Sequence, residues 1–384
     1  MTTAITHPAL APAQLGARSL RNRLAVAPMT RVSATPDGVP IPDMADYYAA
    51  FAEGGFGLVI TEGTYPDAEH SQGYLNQPGL VTDAHVAGWQ AVTRRVHAAG
   101  AVMVAQLMHA GALSQGNPHR TGTVGPSAVQ PRGEMMPEYG GSGPWPVPAE
   151  LSVRDLERIV EGFAAAAVRA REAGFDGVEI HAANGYLLDQ FLTDYTNLRT
   201  DAYGGSVANR VRFTAQVTAA VRAAVGPGFL IGVRLSQTKV NDFEYRWPGG
   251  RREAETIYTA LADAQADYLH IASEGRAFLE TAVLDGGCTT TALARSTTGL
   301  PVIANGGMHD MRQAEQVLAD GHADLLAVAR GALANPDLPH RLAAGTPLEP
   351  FDRTMLCPTV TLENVRRWQL ARQRPARRRS GSLA

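Results

Sequence analysis

Eight short apolar runs recur along the chain, each closed by glycine, proline or a polar residue. Most are followed by a longer stretch compatible with a helix, so strands and helices alternate. Strands buried on both faces of a parallel sheet need continuous apolar character rather than in–out alternation. The predicted strands are residues 24–29, 57–61, 101–107, 177–181, 229–235, 268–272, 301–304 and 324–329. Eight βα units predict an α/β fold, a single (β/α)8 TIM barrel, and the chain's 384 residues suit one.

The segments between the runs have helical spacing. The clearest is 152–173, where apolar residues recur on one face behind a capping-box pattern at Ser152 and Asp155. Further helices are predicted at 44–52, 83–98, 207–225, 252–264, 288–298 and 311–319, with a last one beginning near Pro336. The active site of such a barrel lies at the carboxyl ends of its strands. Functional residues are therefore expected just after each apolar run.

One connection is much longer than the others. Residues 108–150, after the third strand, are rich in proline and glycine and lack a helical period. A loop of this length is either a lid over the site or a disordered insert, and we expect a lid. The barrel is assigned to residues 1–350 and a C-terminal extension to 351–384. From Arg366 onward the chain has seven arginines and no acid, so we expect a flexible end that does not pack.

Composition limits the classes of function. With 45% apolar residues, 18% charged residues and a net charge of −3, the chain reads as a soluble globular protein without a nucleic-acid or membrane partner. Cys288 and Cys357 are far apart, so a disulfide framework, a metal site or an iron–sulfur cluster is not expected. No secretory leader and no apolar run of roughly 20 residues is present, which favours the cytoplasm. A small-molecule substrate is the expected partner, and a homodimer remains an open option.

Polar residues lie at or just after the ends of the first five predicted strands. They are Thr30, Glu62 with Gly63, Gln106 with His109, His181 with Asn184, and Arg234. Each could be a structural residue on its own. Their shared position after strands indicates a site, because unrelated polar residues would scatter over both ends of the barrel.

The last two strands end in a pattern suited to phosphate. Asn305-Gly306-Gly307 follows the seventh strand and Arg330-Gly331 follows the eighth. Glycines let backbone N–H groups approach a phosphate, and arginine adds a bidentate charged partner. Loops after strands seven and eight are the usual phosphate site of these barrels. A phosphate site beside a row of hydrogen-bonding residues suits a planar phosphorylated cofactor such as FMN.

Five segments resemble motifs of the old yellow enzyme family and occur in family order. They are Ala-Pro-Met-Thr-Arg at 27–31, Ala-Gln-Leu-Met-His-Ala-Gly at 105–111, His-Ala-Ala-Asn-Gly-Tyr-Leu-Leu-Asp-Gln-Phe-Leu at 181–192, Arg-Thr-Asp-Ala-Tyr-Gly-Gly-Ser at 199–206 with Asn209-Arg210, and Ala-Asn-Pro-Asp-Leu at 334–338. The resemblance extends from about residue 8 to residue 350. It implies a barrel that binds FMN non-covalently.

The resemblance also assigns cofactor residues. They are Pro28, Met29, Thr30, Gly63, Gln106, Arg234, Gly306, Gly307, Ala329 and Arg330. Thr30 and Gly63 would lie near flavin O4, and Gln106 would meet the pyrimidine side. Arg234 would stabilise negative charge on the reduced flavin near N1. Ala329 stands where many members have glycine.

The chemistry that the resemblance implies is reduction of α,β-unsaturated carbonyl compounds by NADPH or NADH in a ping-pong cycle. His181 and Asn184 would donate hydrogen bonds to the carbonyl oxygen. Tyr186, with an ordinary pKa of about 10, would give its proton to the α-carbon. Tyr74 and Met108 would border the substrate pocket, Met108 standing where many members have tryptophan.

Two other functions remain open from the sequence. A related flavin barrel could demethylate a small amine oxidatively instead of reducing an alkene. A flavin-free barrel aldolase or hydrolase is the third, because the single lysine of the chain, Lys239, follows the fifth strand, where a Schiff-base lysine could lie.

Overall fold

The computed structural model describes residues 7–273 and 278–373. Its strands are β1 (Ala13–Leu15), β2 (Arg18–Leu20), β3 (Leu24–Val26), β4 (Leu58–Ile60), β5 (Val102–Leu107), β6 (Val124–Gly125), β7 (Ala149–Glu150), β8 (Gly177–Asn184), β9 (Leu230–Lys239), β10 (Tyr268–Ala272), β11 (Val302–Asn305) and β12 (Leu325–Val328). Its α-helices are α1 (Pro42–Glu53), α2 (Asp83–Ala98), α3 (Val153–Glu172), α4 (Leu187–Leu192), α5 (Val207–Val225), α6 (Gly250–Asp263), α7 (Phe278–Thr281), α8 (Thr290–Thr298), α9 (Met311–Ala319), α10 (Arg330–Ala334), α11 (Leu338–Ala344) and α12 (Leu362–Gln373). Single 3-10 turns lie at Pro8–Leu10, Gly111–Leu113, Pro137–Tyr139, Asp285–Gly287 and Arg353–Leu356.

Eight of these strands close into a barrel in the order β3-β4-β5-β8-β9-β10-β11-β12. Every neighbouring pair in the ring is parallel, including β12 with β3. The (β/α)8 prediction is therefore confirmed, and each predicted strand overlaps one strand of the ring. Strands β8 and β9 continue beyond their apolar runs, to Asn184 and Lys239, because their polar last residues still pair with each other.

The barrel interior and its outer surface form two separate cores. The interior cluster contains Ile60, Val104 and Ile303, and it also takes in Leu15 and Leu20. These two leucines belong to the antiparallel hairpin of β1 and β2, which the sequence pattern does not predict. A strand of three residues is too short to show the alternation of apolar and polar residues by which strands are predicted, so the sequence gives no sign of this hairpin.

The helices follow the predictions closely, and α2, α5 and α9 have the predicted bounds. The last predicted helix, beginning near Pro336, corresponds to α11, which begins at Leu338, and a break separates it from the short helix α10. Pro336 explains the break, since the residue before a proline disfavours helical backbone and Asn335 adopts φ −135° and ψ 81°. None of the helices in the described ranges combines the length and apolar character that a membrane span requires.

Segments outside the barrel are ordered against it. The 108–150 loop contains the two-stranded parallel sheet of β6 and β7 and lies beside the barrel mouth. At the other end of the chain, α12 packs through Trp368, whose Nε1 donates to Asp352 Oδ2 at 3.2 Å. Arg366 forms an ion pair of 2.8 Å with Asp43 of α1. The unpacked tail expected from Arg366 is therefore helical as far as Gln373, and residues 374–384 lie outside the described residues.

Candidate active site

A cavity of about 290 Å³ opens at the carboxyl ends of the barrel strands. Fourteen residues predicted from the sequence line it: Pro28, Met29, Thr30, Gly63, Gln106, Met108, His181, Asn184, Tyr186, Arg234, Gly306, Gly307, Ala329 and Arg330. They come from seven different barrel strands or the turns that follow them. The fold thus brings the predicted cofactor and catalytic residues together in one place.

His181 and Asn184 lie at the end of β8 and are both buried. Nδ1 of His181 accepts a long hydrogen bond of 3.4 Å from the Ala183 N–H, so the proton of the neutral ring is on Nε2. Burial, with Arg234 and His270 nearby, holds the pKa of His181 well below its usual value of 6.5. Oδ1 of Asn184 has no hydrogen-bond partner in the described part of the chain. Both side chains are therefore neutral hydrogen-bonding groups that border the cavity.

Tyr186 follows Asn184 after one glycine and is 5% exposed. Its ring meets that of His181 edge-on, with centroids 5.0 Å apart. Its hydroxyl forms a short hydrogen bond with the hydroxyl of Tyr74. Tyr74 is fully buried and adjoins the cavity through this contact with Tyr186, which lines it.

A buried carboxylate fixes the orientation of Gln106. Glu179 of β8 accepts from Gln106 Nε2 at 2.8 Å and from the Tyr268 hydroxyl at 3.2 Å, and it hydrogen-bonds His270 Nδ1 at 2.9 Å. Burial raises the pKa of Glu179, but the neighbouring His270, Arg234 and Gln106 outweigh it and leave the pKa below its usual value. An ionised carboxylate only accepts, so the Gln106 amide must turn its N–H toward Glu179. Its carbonyl oxygen is then left to accept a hydrogen bond in the cavity.

We expect Glu179→Gln to weaken FMN binding by roughly tenfold, which corresponds to about 1.4 kcal/mol. A neutral amide at 179 can donate as well as accept, so it no longer dictates how Gln106 is turned. Fluorescence titration of the apoprotein with FMN measures the affinity. Glu253→Gln is the matched control, because Glu253 is also a buried carboxylate but pairs with Arg210 away from the cavity. Equal FMN affinity in parent and Glu179→Gln would contradict this role.

The far end of the cavity has the features of an anion site. Gly306 has φ +137°, and a Cβ there would come within 2.5 Å of Ser273 Cβ. Arg330 and His309 both line the cavity, and burial together with Arg330 lowers the pKa of His309. Among residues 7–273 and 278–373, no carboxylate forms an ion pair with Arg330. An uncompensated cation beside a glycine turn fits a phosphate group.

Glycine is also needed in the middle of the cavity wall. A Cβ at Gly63 would come within 2.6 Å of Met108 Sδ and 3.0 Å of Met108 Cβ, so a side chain there would displace Met108 from the cavity wall. Together with the Gln106 acceptor, the Thr30 hydroxyl and the Arg234 guanidinium, the wall offers partners for a planar polar ring. The residues present therefore fit FMN, whose phosphate Gly306, Gly307 and Arg330 would hold. In the described ranges, no cluster of three or more His, Cys, Asp or Glu side chains is arranged to hold a metal ion.

Part of the cavity wall was not predicted residue by residue. Met136 and Tyr139 reach it from the 108–150 loop, and Val240 follows β9. Leu356 and Val360 belong to the C-terminal extension. These five side chains form an apolar wall from irregular segments. No period or motif marks such residues in the sequence.

Two of the predicted polar residues, Glu62 and His109, do not line this cavity. Oε2 of Glu62 accepts from the backbone N–H groups of Arg31 at 2.8 Å and Val32 at 3.1 Å. His109 is buried 3.7 Å from Asp67, next to a second cavity, and burial lowers its pKa to about 4. Both therefore have structural positions.

Glu62 makes stability depend on pH. Burial raises its pKa to about 7 in the folded chain, against about 4.5 when unfolded. The neutral carboxyl is thus favoured by folding, and this contribution is complete below pH 4.5 and is lost as the pH rises toward 7. The free energy of unfolding of the parent should therefore fall relative to that of Glu62→Gln as the pH rises. We expect the difference between the two proteins to shift by roughly 2 kcal/mol in favour of the variant from pH 5 to pH 7.5. Urea denaturation at both pH values measures it, and a pH-independent difference would contradict it.

Lys239 does not face the main cavity. Its Nζ lies 2.6 Å from Asp189 Oδ1, and the two side chains are 1% and 0% exposed. A Schiff-base lysine must reach its substrate as a free amine. The aldolase hypothesis therefore loses its nucleophile.

Comparison with known proteins identifies the family. Residues 9–349 match the NADH:flavin oxidoreductase / NADH oxidase family. The chain is 37% identical to a chanoclavine-I aldehyde reductase of Penicillium roqueforti, over 89% of this chain and 90% of that protein. The structure of the old yellow enzyme homologue from Zymomonas mobilis superposes with a TM-score of 0.81 at 33% identity, covering 89% of this chain and 94% of the other.

Morphinone reductase in complex with tetrahydroNAD superposes with a TM-score of 0.79 at 36% identity, covering 90% of this chain and 92% of the other. The barrel, the cavity and these similarities agree with one another. The chain belongs to the old yellow enzyme family, and it is an FMN-dependent oxidoreductase that uses NAD(P)H to reduce alkenes.

Proposed function

We propose that the enzyme reduces the activated C=C bond of α,β-unsaturated carbonyl compounds in a ping-pong cycle. The observation that carries the proposal is the placement of His181, Asn184 and Tyr186 on one wall of the cavity whose other walls fit FMN. His181 and Asn184 can donate hydrogen bonds to a carbonyl oxygen, and Tyr186 can donate a proton to a carbon atom. FMN, when bound, supplies the hydride that it takes from NAD(P)H.

His181 and Asn184 bind the carbonyl oxygen of the substrate. Nε2–H of the neutral imidazole is one donor and the Asn184 amide is the other. Donors fixed in a buried site stabilise negative charge that develops on oxygen far better than water does. They withdraw electrons from the conjugated alkene and make its β-carbon electrophilic.

Tyr186 donates the proton to the α-carbon. Tyr186 lines the cavity and its ring packs against that of His181, which supports a position beside the carbonyl site. Tyr74 hydrogen-bonds the Tyr186 hydroxyl and fixes its direction. Burial and the adjacent Tyr186 raise the pKa of Tyr74 well above 10, so Tyr74 stays protonated and can share its proton with Tyr186.

The ping-pong order is supported by the single cavity that the cofactor wall and the substrate residues share. Because the residues assigned to FMN and those assigned to the substrate line the same cavity, we infer that the nicotinamide and the alkene take turns. The apolar wall of Met136, Tyr139, Val240, Leu356 and Val360 favours a substrate with a hydrophobic ring beside its carbonyl. The names of two similar proteins, an aldehyde reductase and morphinone reductase, also point to carbonyl compounds.

The test is turnover of cyclohexenone. We expect yellow purified protein, or protein that turns yellow on reconstitution with FMN, to oxidise NAD(P)H with cyclohexenone and to yield cyclohexanone. Protein that takes up no FMN, or that holds FMN but releases formaldehyde from methylated amines and leaves cyclohexenone unreduced, would overturn the proposal.

We further propose that the enzyme acts in the cytoplasm as a homodimer, with residues 1–350 as the catalytic barrel and 351–384 as an extension. The extension contributes Leu356 and Val360 to the cavity wall, so it is part of the working enzyme. Light scattering after gel filtration gives the oligomeric state. A chain truncated after residue 350 is expected to lose substrate affinity.

A further inference from the structure

The single lysine of the chain is buried in an ion pair behind the active site. Lys239 ends β9, and its Nζ is 2.6 Å from Asp189 Oδ1 and 4.8 Å from the centre of the Tyr245 ring. Both charges are removed from water, with exposures of 1% and 0%. Such a pair is a poor source of stability, because desolvation offsets much of the attraction. The neighbours of the pair indicate a role other than stability.

The second oxygen of Asp189 holds the turn that carries the substrate residues. Oδ2 accepts a hydrogen bond of 2.7 Å from the backbone N–H of Gly185. Gly185 has φ +87° and Asn184 before it has φ +66°. Two consecutive left-handed residues, one of them not glycine, persist only when surrounding contacts enforce them. This turn places Asn184 on one side and Tyr186 on the other.

Strand β9 also supports the turn at a second point. Ser236 Oγ accepts from the Asn184 N–H at 2.8 Å, and the Asn184 carbonyl accepts from the Val240 N–H at 3.1 Å. Lys239 lies between these two positions and pairs with Asn184 in the sheet register. The end of β9 thus holds the turn directly through the Ser236 hydroxyl and the Val240 N–H, and indirectly through Lys239 and Asp189.

We propose that Lys239 and Asp189 are positioning residues that hold the 184–186 turn in the geometry that binds the substrate carbonyl. The ammonium fixes and neutralises the carboxylate, and the carboxylate fixes the Gly185 N–H. The inference rests on the proposed function, because it takes Asn184 and Tyr186 as the substrate residues. The test measures the affinity for phenol and not turnover, so the positioning role can fail while the proposed function stands.

The main variant is Asp189→Leu with Lys239→Met, which removes both charges at once. A single replacement would leave one buried charge uncompensated, whereas an apolar pair of similar volume usually folds. In the FMN-loaded enzyme we expect phenol, a mimic of the polarised carbonyl, to bind at least tenfold more weakly. Amide hydrogen exchange of the 184–188 segment should be faster. FMN affinity should stay close to that of the parent, and Tm should fall by only the few degrees expected for one buried N–H without a partner.

Two further pairs of substitutions separate positioning from general stability. Asp189→Asn with Lys239→Gln keeps a hydrogen-bonded link to Gly185 without charge, and we expect phenol affinity to recover to within about threefold of the parent. Arg222→Met with Asp267→Leu is the matched control at the other end of β9. Like Asp189, Asp267 pairs with a basic side chain, here Arg222, and accepts a hydrogen bond from a backbone N–H, that of Ile231 at 2.7 Å. This control should leave phenol affinity unchanged.

Phenol affinity within twofold of the parent in the apolar pair would overturn the proposal. So would a loss of phenol affinity matched by an equal loss of FMN affinity, since that indicates general disruption. If the apolar pair does not fold, Asp189→Ala with Lys239→Met, which removes the same two charges and the acceptor of the Gly185 N–H with a smaller side chain at 189, decides by the same two criteria. A parent enzyme that binds phenol but does not reduce cyclohexenone counts against the proposed function and leaves the phenol comparison valid.

Discussion

Replacing Tyr186 with phenylalanine is expected to slow the reduction of cyclohexenone by roughly a hundredfold or more, the usual contribution of a positioned general acid. The substitution removes only the hydroxyl, and the ring can keep its edge-on contact with His181. Reduction of the flavin by NAD(P)H needs no proton from this residue, so its rate should stay within about twofold. Stopped-flow absorbance of the two half-reactions measures both rates.

Tyr74→Phe is the matched control for this prediction. It removes the partner hydroxyl but leaves the Tyr186 proton in place, so we expect a loss of about threefold to tenfold, in line with one hydrogen bond. An equal slowing of both half-reactions in Tyr186→Phe would show that the residue shapes the pocket and does not donate the proton.

Removing the two carbonyl donors together is expected to have the second large effect. In His181→Ala with Asn184→Ala, phenol affinity should fall by about a thousandfold and the alkene half-reaction should slow by a similar factor. Loss of one preorganised donor at an oxyanion typically costs about 100-fold to 1000-fold. Spectral titration of the bound flavin with phenol measures the affinity.

His109→Gln serves as the control for the two donors. His109 is also a buried histidine near a strand end, but it lies against Asp67 outside the main cavity. Its replacement should leave phenol affinity unchanged. If the double alanine variant bound phenol as tightly as the parent, the two residues would be structural and the carbonyl would bind elsewhere.

The barrel could be predicted from the sequence because its strands are buried on both faces. The run 57–61 has three consecutive apolar residues, Leu58–Ile60, which the observed β4 comprises, and Glu62 and Gly63 follow the run. The hairpin of β1 and β2 could not be predicted, since each strand has three residues and depends on packing across the end of the barrel. Local pattern thus identifies elements that are long or fully buried.

The residues of the candidate site likewise fall into two groups, those that the sequence pattern places and those that only the tertiary structure places. Gln106, His181 and Arg234 could be placed because the carboxyl end of a barrel strand is a defined position in the fold. Tyr74 lies in a loop, and only tertiary structure shows that it stands behind Tyr186. Leu356 reaches the cavity from a segment assigned to an extension, because its position depends on contacts far away in the sequence.

Lys239 shows how burial decides between two chemical roles. In the sequence it is a lysine after the fifth strand, which is compatible with a Schiff base. In the structure its ammonium is held by Asp189 and is not exposed to a substrate. Spacing alone does not show whether a side chain at a strand end points into the cavity or behind it.

The central claim is that one cavity serves NAD(P)H and the alkene in turn, and anaerobic titration of the flavin tests it most directly. We expect NAD(P)H to bleach the yellow enzyme without any alkene present, and cyclohexenone added afterwards to restore the colour in a one-to-one ratio with the flavin. Phenol should compete with both reactants. Bleaching that requires cyclohexenone to be present, or reduced enzyme that cyclohexenone does not reoxidise, would contradict the account.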